Sequence, residues 1–557
     1  MIYKVLFLFI AATSILCAQN ENINAEHPIY DFLQKMKIRG IISDYDNSVI
    51  PLSKSRLKEY IKTIETRKEL LFEKENEELE LFSSYLTNLR FGDDKNQFNI
   101  LKIEELLLRD ENISLYSYFD GEFDLRINPV FSLRSIVVDK PGEITKNSLL
   151  IGYGGELILN YSDWLGIYLN ATNGANIGDR ETARLDRRVK QSFAFNYTNL
   201  DYFDNTEGYI QIKNKIAKLQ VGRERVLWGS GNINRAFLDQ TPQLFDFIKF
   251  DIKYNIFSLN FIHGWLVEKS DTFIQKPSLH EIRTKADKYF AISRFGIRPW
   301  ENLNLGISQS VVYTQRPFEL AYLNPFLLWE SAQRSMNDLD NSFLGFDIKY
   351  NPVKGLEMYG TLLFDDINFD YFFNEKWNSN GNGNLWQAGL ALSNPLLVRN
   401  MMLTIEYMQV RPFTFSHPGF QTGLAYTNNG AMLCSDIEPN STLFSLQLEY
   451  QVTSRFKAIL AYENYMHGKN IYDSGGNLIN NIGGDVFESY SVFTDQRIKI
   501  LSGDLEVENR YSIILRYYLS AKLHAEIMSR YFVHSNNSFQ NKQMQIFSTI
   551  YYNTNFH

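Results

Sequence analysis

Residues 444–452 read Phe-Ser-Leu-Gln-Leu-Glu-Tyr-Gln-Val. Phe444, Leu446, Leu448, Tyr450 and Val452 fall on one side, and Ser445, Gln447, Glu449 and Gln451 on the other. This is the two-residue period of a β-strand, whose successive side chains point to opposite faces of a sheet. A short turn, Thr453-Ser454-Arg455, follows, and Phe456, Ala458, Leu460 and Tyr462 then resume the pattern against Lys457 and Glu463. The same unit recurs from about residue 112 to the C-terminus. Along it, charges such as Asp347, Lys349, Glu357 and Asp365 share one face, while aromatic and aliphatic residues crowd the other. A soluble sandwich hides its apolar face between two sheets. Many long alternating strands in series fit a transmembrane barrel with a lipid-facing exterior and a polar lumen.

The N-terminus agrees. Lys4 precedes an apolar stretch from Val5 to Leu16, and Ala18 offers a small residue for cleavage. That is a secretory signal peptide, too short to span a membrane. Cys17 invites a lipoprotein reading, but Ser14 and Leu16 fit a lipid-attachment box poorly. After cleavage only Cys434 remains, so no intramolecular disulfide is expected. No later stretch reaches the ~18 apolar residues of a membrane helix. An exported chain with long alternating strands points to a bacterial outer membrane. Aromatics make up 15% of residues, with 33 Tyr and 41 Phe, as the aromatic girdles of a barrel require. The net charge of -8 gives no argument for a nucleic-acid partner.

Residues 27 to about 91 differ in kind. Ile29, Phe32, Leu33 and Met36 recur at helical spacing, with Gly40 just past the expected stop. Ser53 is placed to cap a second helix with Leu57, Tyr60, Ile61 and Ile64 on its apolar stripe. A third helix is predicted from about Lys68 to Arg90, carrying Phe72, Leu79, Phe82, Leu86 and Leu89. The nearest surface for three short amphipathic helices is the barrel mouth. Asp44-Tyr45-Asp46-Asn47 opens like a calcium loop, but Ser55 stands where the bidentate Glu belongs, and a plain turn is the better reading.

Short turns at 161–163, 253–255, 298–302, 351–355, 394–400, 453–455 and 519–522 alternate with long loops. Among these loops are 224–245 and 315–340, rich in Trp, Phe and Leu, which are expected to plug the lumen. Periodic segments number about 18, an even total as in bacterial barrels, although 190–223 breaks the alternation. The expectation is a mainly β fold: a large antiparallel barrel with an N-terminal α-helical periplasmic bundle. Its boundaries are 1–18 for the signal peptide, 19–105 for the bundle and 106–557 for the barrel. The last segment, with Met544, Ile546, Ile550, Tyr552 and Phe556 against Gln543, Gln545 and Asn553, resembles the closing strand read by barrel assembly machinery, with His557 trailing it.

Several segments taken in order resemble the Wzi-type capsule assembly family. They are His27-Pro28-Ile29-Tyr30-Asp31-Phe32-Leu33, Gly40-Ile41-Ile42 and Pro51-Leu52-Ser53, then Gly222-Arg223 and Trp228-Gly229-Ser230-Gly231. Further on come Tyr313, Tyr322-Leu323-Asn324-Pro325, Asp340-Asn341 and Leu362-Leu363-Phe364-Asp365-Asp366. The resemblance implies an outer-membrane barrel closed by a helical bundle, with a lectin-like role in retaining capsular or exopolysaccharide. Ser230 departs from the pattern, which would place Pro between the two glycines. The helical opening alone also resembles a single S-layer homology repeat.

Catalysis is not expected. Eight His residues are scattered, with neither H-E-x-x-H nor Gly-x-Ser-x-Gly, and Gly229-Ser230-Gly231 lacks the rest of a nucleotide-binding motif. No cofactor and no metal are expected. Sugar recognition needs aromatic faces beside carboxylates, amides and guanidinium groups. Two clusters at loop bases offer these: Arg223, Glu224, Arg225 and Trp228, and Arg316, Glu319, Tyr322 and Asn324 with Trp329 and Asp340 nearby. From them Arg223, Trp228, Glu319, Tyr322, Asn324 and Asp340 are the candidate ligand-binding residues. The same residues also read as charge pairs and girdle aromatics that hold loops folded. Arg180, Arg184, Arg187, Arg188 and Lys190 form a basic loop fit either for acidic polysaccharide or lipopolysaccharide, or for the barrel's own acidic groups. The rival reading is a porin or substrate-specific channel, and the lumen discriminates the two.

Overall fold

The computed structural model describes residues 19–91, 94–191, 195–196, 201–268, 287–336, 340–365, 383–419, 422–491, 494, 497–536 and 539–553. The stretch 1–18 expected to be a signal peptide, Asp366, Phe556 and His557 lie outside them, as does the side chain of Lys190.

Among the described residues, 18 antiparallel strands close into one barrel. They begin with β1 Phe123–Asp139, β2 Lys146–Tyr161, β3 Leu165–Gly178, β4 Asp201–Lys213, β5 Ala217–Arg223 and β6 Asp246–Tyr254. Next are β7 Phe257–Leu266, β8 Lys288–Trp300, β9 Leu303–Thr314, β10 Asn341–Val353, β11 Leu356–Asp365 and β12 Gly383–Ser393. The last are β13 Met401–Val410, β14 Ser441–Thr453, β15 Phe456–Lys469, β16 Asp504–Tyr518, β17 Leu523–Ser535 and β18 Gln540–Tyr552. Each pairs with the next, and β18 returns to β1 with Met544 opposite Asp139 and Tyr552 opposite Phe131. Closure leaves no edge, so every strand can satisfy its backbone in lipid. The stretch where the sequence loses its alternation carries β4 and the short β5.

The alternation fixes the faces. In β14, Ser445 and Gln451 are buried inside, while Leu446 and Leu448 point outward. Outward Val221, Ile307, Met358, Leu460, Ile513 and Ile527 are all exposed, forming an apolar outer band. Tyr254, Phe257, Trp300 and Tyr350 ring its short-turn end. The chain thus crosses the outer membrane with strands, and no described helix is long and apolar enough to cross one.

Among the described residues, three helices form a bundle ahead of the barrel, α1 Ile29–Ile38, α2 Lys54–Glu65 and α3 Glu73–Leu86, and a short helical turn, Ile103–Leu108, follows them. Gly40, at φ 72, ends α1 in the left-handed conformation that glycine adopts without strain. Ser53 caps α2 by accepting from the Arg56 N–H at 3.4 Å. The predicted third helix is split. Lys68–Leu70 is a separate 3-10 turn, and α3 restarts where Glu75 accepts from the Phe72 N–H at 3.0 Å. The apolar stripes meet in one core with Leu33, Met36, Leu57, Ile61, Leu79 and Phe82. Each such side chain contributes about 1.5–3 kcal/mol by leaving water. This bundle closes the short-turn end: Ile38 O accepts from Gly355 N at 2.7 Å, and Lys213 Nζ donates to Ser55 Oγ at 2.8 Å.

The two bulky loops part company. Loop 224–245 enters the lumen, where Trp228, Phe237 and Leu238 join the inward Phe247, Ile262 and Phe290. Loop 315–340 does not plug it. Its Tyr322 and Trp329 pack on Phe261, Tyr289 and Tyr313, which alternate with those inward residues and therefore face outward. Both loops have the apolar content of a plug, and only strand parity separates inside from outside.

Candidate functional site

The lumen is built in two halves. Along β6 to β14 it is filled by a core in which loop 224–245 meets Phe415, Tyr426, Leu433 and Ile437 from the segment between β13 and β14. A two-residue ribbon ties this filling to the bundle: Val49 pairs with Trp228 and Ile50 with Leu227. Gly229 N donates to Ser48 O at 2.9 Å, and Arg235 Nη1 donates to Asn47 O at 2.8 Å. The bundle and the inward loop are one continuous body.

The turn after Trp228 explains its own residues. Gly229 has φ 141, and a Cβ on Gly231 would collide with the Asn234 carbonyl, so both positions require glycine. Ser230 is buried; its hydroxyl donates to Gly360 O at 3.0 Å and meets Thr361 Oγ1 at 2.6 Å. A proline has no such group, so the serine fastens this turn to β11. Beyond it, the N–H groups of Asn232, Ile233 and Asn234 all point at Glu406, at 3.2, 3.3 and 3.0 Å. Tyr359 OH adds a fourth donor at 2.9 Å. A buried carboxylate is stable only when its oxygens are paired in this way.

The other half is a polar cleft of about 510 Å³ between the bundle, the 232–241 segment and the inner wall from β13 to β17. Its wall is a ladder of ion pairs. Lys457 joins Glu449 at 3.0 Å and Asp31 at 3.2 Å, and Arg516 holds Glu526 at 2.6 Å. Arg510 holds Glu508 at 2.7 Å with Glu463 at 3.7 Å, and Arg530 donates to Ser512 at 3.3 Å. Tyr30, Asn232, Asn234 and Gln447 complete the lining. Amides, carboxylates and guanidinium groups offer both donors and acceptors to hydroxyl-rich or carboxylate-bearing ligands, in a volume typical of binding sites.

The structure scatters the six candidate residues. Trp228 is fully buried in the luminal core, so its ring offers no free face. Arg223 lies on the outer face of β5, paired with Asp246 at 2.9 and 3.0 Å. Glu224 is turned inward instead, accepting from Asn22 and Gln220 at 2.8 Å. On the outer-wall segment, Tyr322 OH donates to Asp340 at 2.5 Å, and Arg316 pairs with the same carboxylate. Glu319 gives its N–H to Tyr313 OH at 3.0 Å, and Asn324 Oδ1 accepts from Phe326 N at 3.1 Å. The basic loop turns to the protein's own acids. Arg187 pairs with Glu26, Arg188 and Arg134 share Asp186, and Arg180 and Arg184 meet Asp201 and Glu181. The cleft charges were visible as inward members of alternating strands, but the strand pairing that gathers Arg510, Arg516 and Arg530 was not.

A family model described as capsule assembly protein Wzi matches residues 161–531. Among solved structures, Wzi of Escherichia coli is described as an outer-membrane protein of group 1 capsule assembly and a carbohydrate-binding β-barrel. It is 12% identical, aligns over 97% of this chain and 99% of its own, and has a TM-score of 0.54, a likeness of fold. OprD of Pseudomonas aeruginosa is 11% identical over 76% of this chain and 94% of its own, with a TM-score of 0.40, too low to bear on function. No curated protein matches the chain. On the match to more than half its length, the chain belongs to the Wzi capsule assembly family.

Proposed function

We propose that this barrel binds exported capsular or extracellular polysaccharide and anchors it at the cell surface, without catalysis. The observation that supports this reading is the divided lumen. One half is occupied by a packed core continuous with the bundle, and the other presents paired charges and amides suited to a sugar polymer. A channel would need that core to be absent. In this reading residues 19–105 lie on the periplasmic side, the signal peptide is removed near Ala18, and lipopolysaccharide surrounds the barrel. Barrel assembly machinery inserts it. Trp228 serves the site by shaping the loop, while Arg510 and Arg530 meet the ligand.

The test combines gene deletion with purified protein. Loss of the gene is expected to release polysaccharide from the cell surface, and the purified barrel is expected to bind the host's own polymer. Arg510→Ala and Arg530→Ala, each still heat-modifiable on gels, should weaken binding. A lost charge-assisted hydrogen bond costs about 1.5–3 kcal/mol, roughly 10- to 150-fold in affinity. Unchanged retention after gene deletion rejects the anchoring role, and wide-pore conductance of intact protein favours the channel.

A further inference from the structure

The short turns from β2–β3 to β8–β9 are tied rim to rim by backbone bonds. Lys213 N donates to Trp164 O at 2.8 Å, Lys253 N to Ile216 O at 2.9 Å, and Arg298 N to Ile256 O at 2.9 Å. These bonds line up Lys213, Lys215, Lys253 and Arg298 along one arc of the rim, with the half-buried Trp164 at its end. Between this arc and α2 lies a cleft of about 890 Å³. It shares no lining residue with the polar cleft along β13 to β17. Its floor is closed, because Val49 in its wall belongs to the packed luminal core. Lys249 and Arg294 at depth are almost wholly buried, whereas Lys253 at the mouth is exposed. The cleft therefore opens toward the short-turn end and runs blind against the core.

Lys and Arg outnumber carboxylates eight to five in this cleft, although the chain carries a net charge of -8. Its carboxylates are already engaged. Arg56 holds Asp44 at 2.8 Å and Glu59 at 2.5 Å, and Asp251 is shared by Lys218 at 3.2 Å and Lys249 at 3.4 Å. Asp46 accepts from Ser48 N at 3.0 Å beside Arg294, and Asp163 offsets Lys213. Among the described residues no carboxylate forms an ion pair with Lys215, Lys253 or Arg298. Cations beside an indole face and the amides of Asn255 and Asn304 suit a chain of sugars that bear carboxylates. We propose that this cleft grips the carboxylate-bearing glycan of the cell wall, peptidoglycan, and so ties the barrel to it. The inference rests on the reading above that the bundle and short turns face the periplasm. A polymer held at the cell surface is shut out by the luminal core, and the acidic glycan on the short-turn side is the wall. A small anion would leave most of the cleft unfilled.

The test sediments the full-length barrel, in mild detergent, with protein-free peptidoglycan sacculi. It should pellet with them at low salt and be released as salt rises toward ~1 M. Lys253→Glu combined with Arg298→Glu, still heat-modifiable on gels, should bind sacculi at least about tenfold more weakly. Lys542→Glu, at the long-loop end, should bind as wild type does. On wild-type protein, carbodiimide should couple wall carboxylates to Lys215 or Lys253, a readout that stands even where the double variant fails to fold. The exported polysaccharide separates this site from the anchoring role. The double variant should keep its affinity for that polymer, and Arg510→Ala should lose it yet still pellet with sacculi. Sacculus binding without polymer binding supports this proposal and defeats the anchoring role alone. Undiminished pelleting of the folded double variant, coupling confined to other lysines, or loss of polymer binding in the double variant overturns the proposal.

Discussion

Asp347 accepts hydrogen bonds of 2.9 and 2.7 Å from Nε and Nη2 of Arg294, across the strand that separates β8 from β10. The residue between them is Gly306, and a Cβ there would run into both side chains. The bridge therefore exists because β9 offers no side chain at that point. Asp347→Ala leaves a buried guanidinium without its main partner and should cost about 3–5 kcal/mol. The pair Arg294→Met with Asp347→Leu should come close to neutral, since an apolar replacement of a buried ion pair often does. Gly306→Val should resemble Asp347→Ala. The temperature at which the compact form disappears from unheated gels reads all three.

Trp228 separates shape from hydrogen bonding. It is fully buried, and its Nε1 has no partner among the described residues. Trp228→Phe keeps most of the packing and removes a stranded N–H, so it should be close to neutral. Trp228→Ala should cost about 3–5 kcal/mol of plug stability. In planar bilayers the alanine variant is expected to conduct in bursts, with the phenylalanine variant as quiet as wild type.

Acid should loosen the bundle before the barrel. Burial pushes the His27 imidazole down to about 3 from its usual 6.5. Burial alone would raise Glu21, but Arg126 and Lys54 hold it at about 2, below its usual 4.5. In both cases the unfolded segment takes up its proton first, so stability present at neutral pH is lost as pH falls. His27 acts between 6.5 and about 3, and Glu21 between 4.5 and about 2. The two are worth on the order of 5 and 3 kcal/mol respectively. Hydrogen exchange of α1 to α3 should accelerate in two stages while the gel shift persists. Glu21→Gln should abolish the lower stage.

Gln309→Leu tests how the outer segment is held. Leucine suits a lipid-facing position, but it strands the Leu327 carbonyl and the Trp329 N–H, which the Gln309 amide pairs at 2.9 and 3.1 Å, at about 1–3 kcal/mol for each group. The barrel should still form, while protease cleaves between Phe318 and Met336 in detergent. Continued resistance there would mean that Tyr322 and Trp329 suffice to hold the segment.

Legibility in the sequence followed the range of the interactions. Period-2 patterns such as Phe444 to Val452 report which face each residue takes, so strand count and outer membrane location were readable. Ser53 and Gly40 marked helix ends through contacts a few residues away. The luminal ladder was not readable, because Arg516 and Glu526 meet only after two strands pair in register. Trp228 and Tyr322 looked alike as aromatic residues in bulky loops. One is buried inside the barrel and the other against its outer wall, a difference of strand parity that no loop sequence carries.

A plain barrel looks much the same from every direction in the plane of the membrane. This one does not, because Leu320, Phe326 and Leu328 form an exposed ridge over β7 to β9. The molecule therefore has a front and a back. In a crowded leaflet the ridged side spaces its neighbours further away than the smooth side, so adjacent barrels will favour some headings over others.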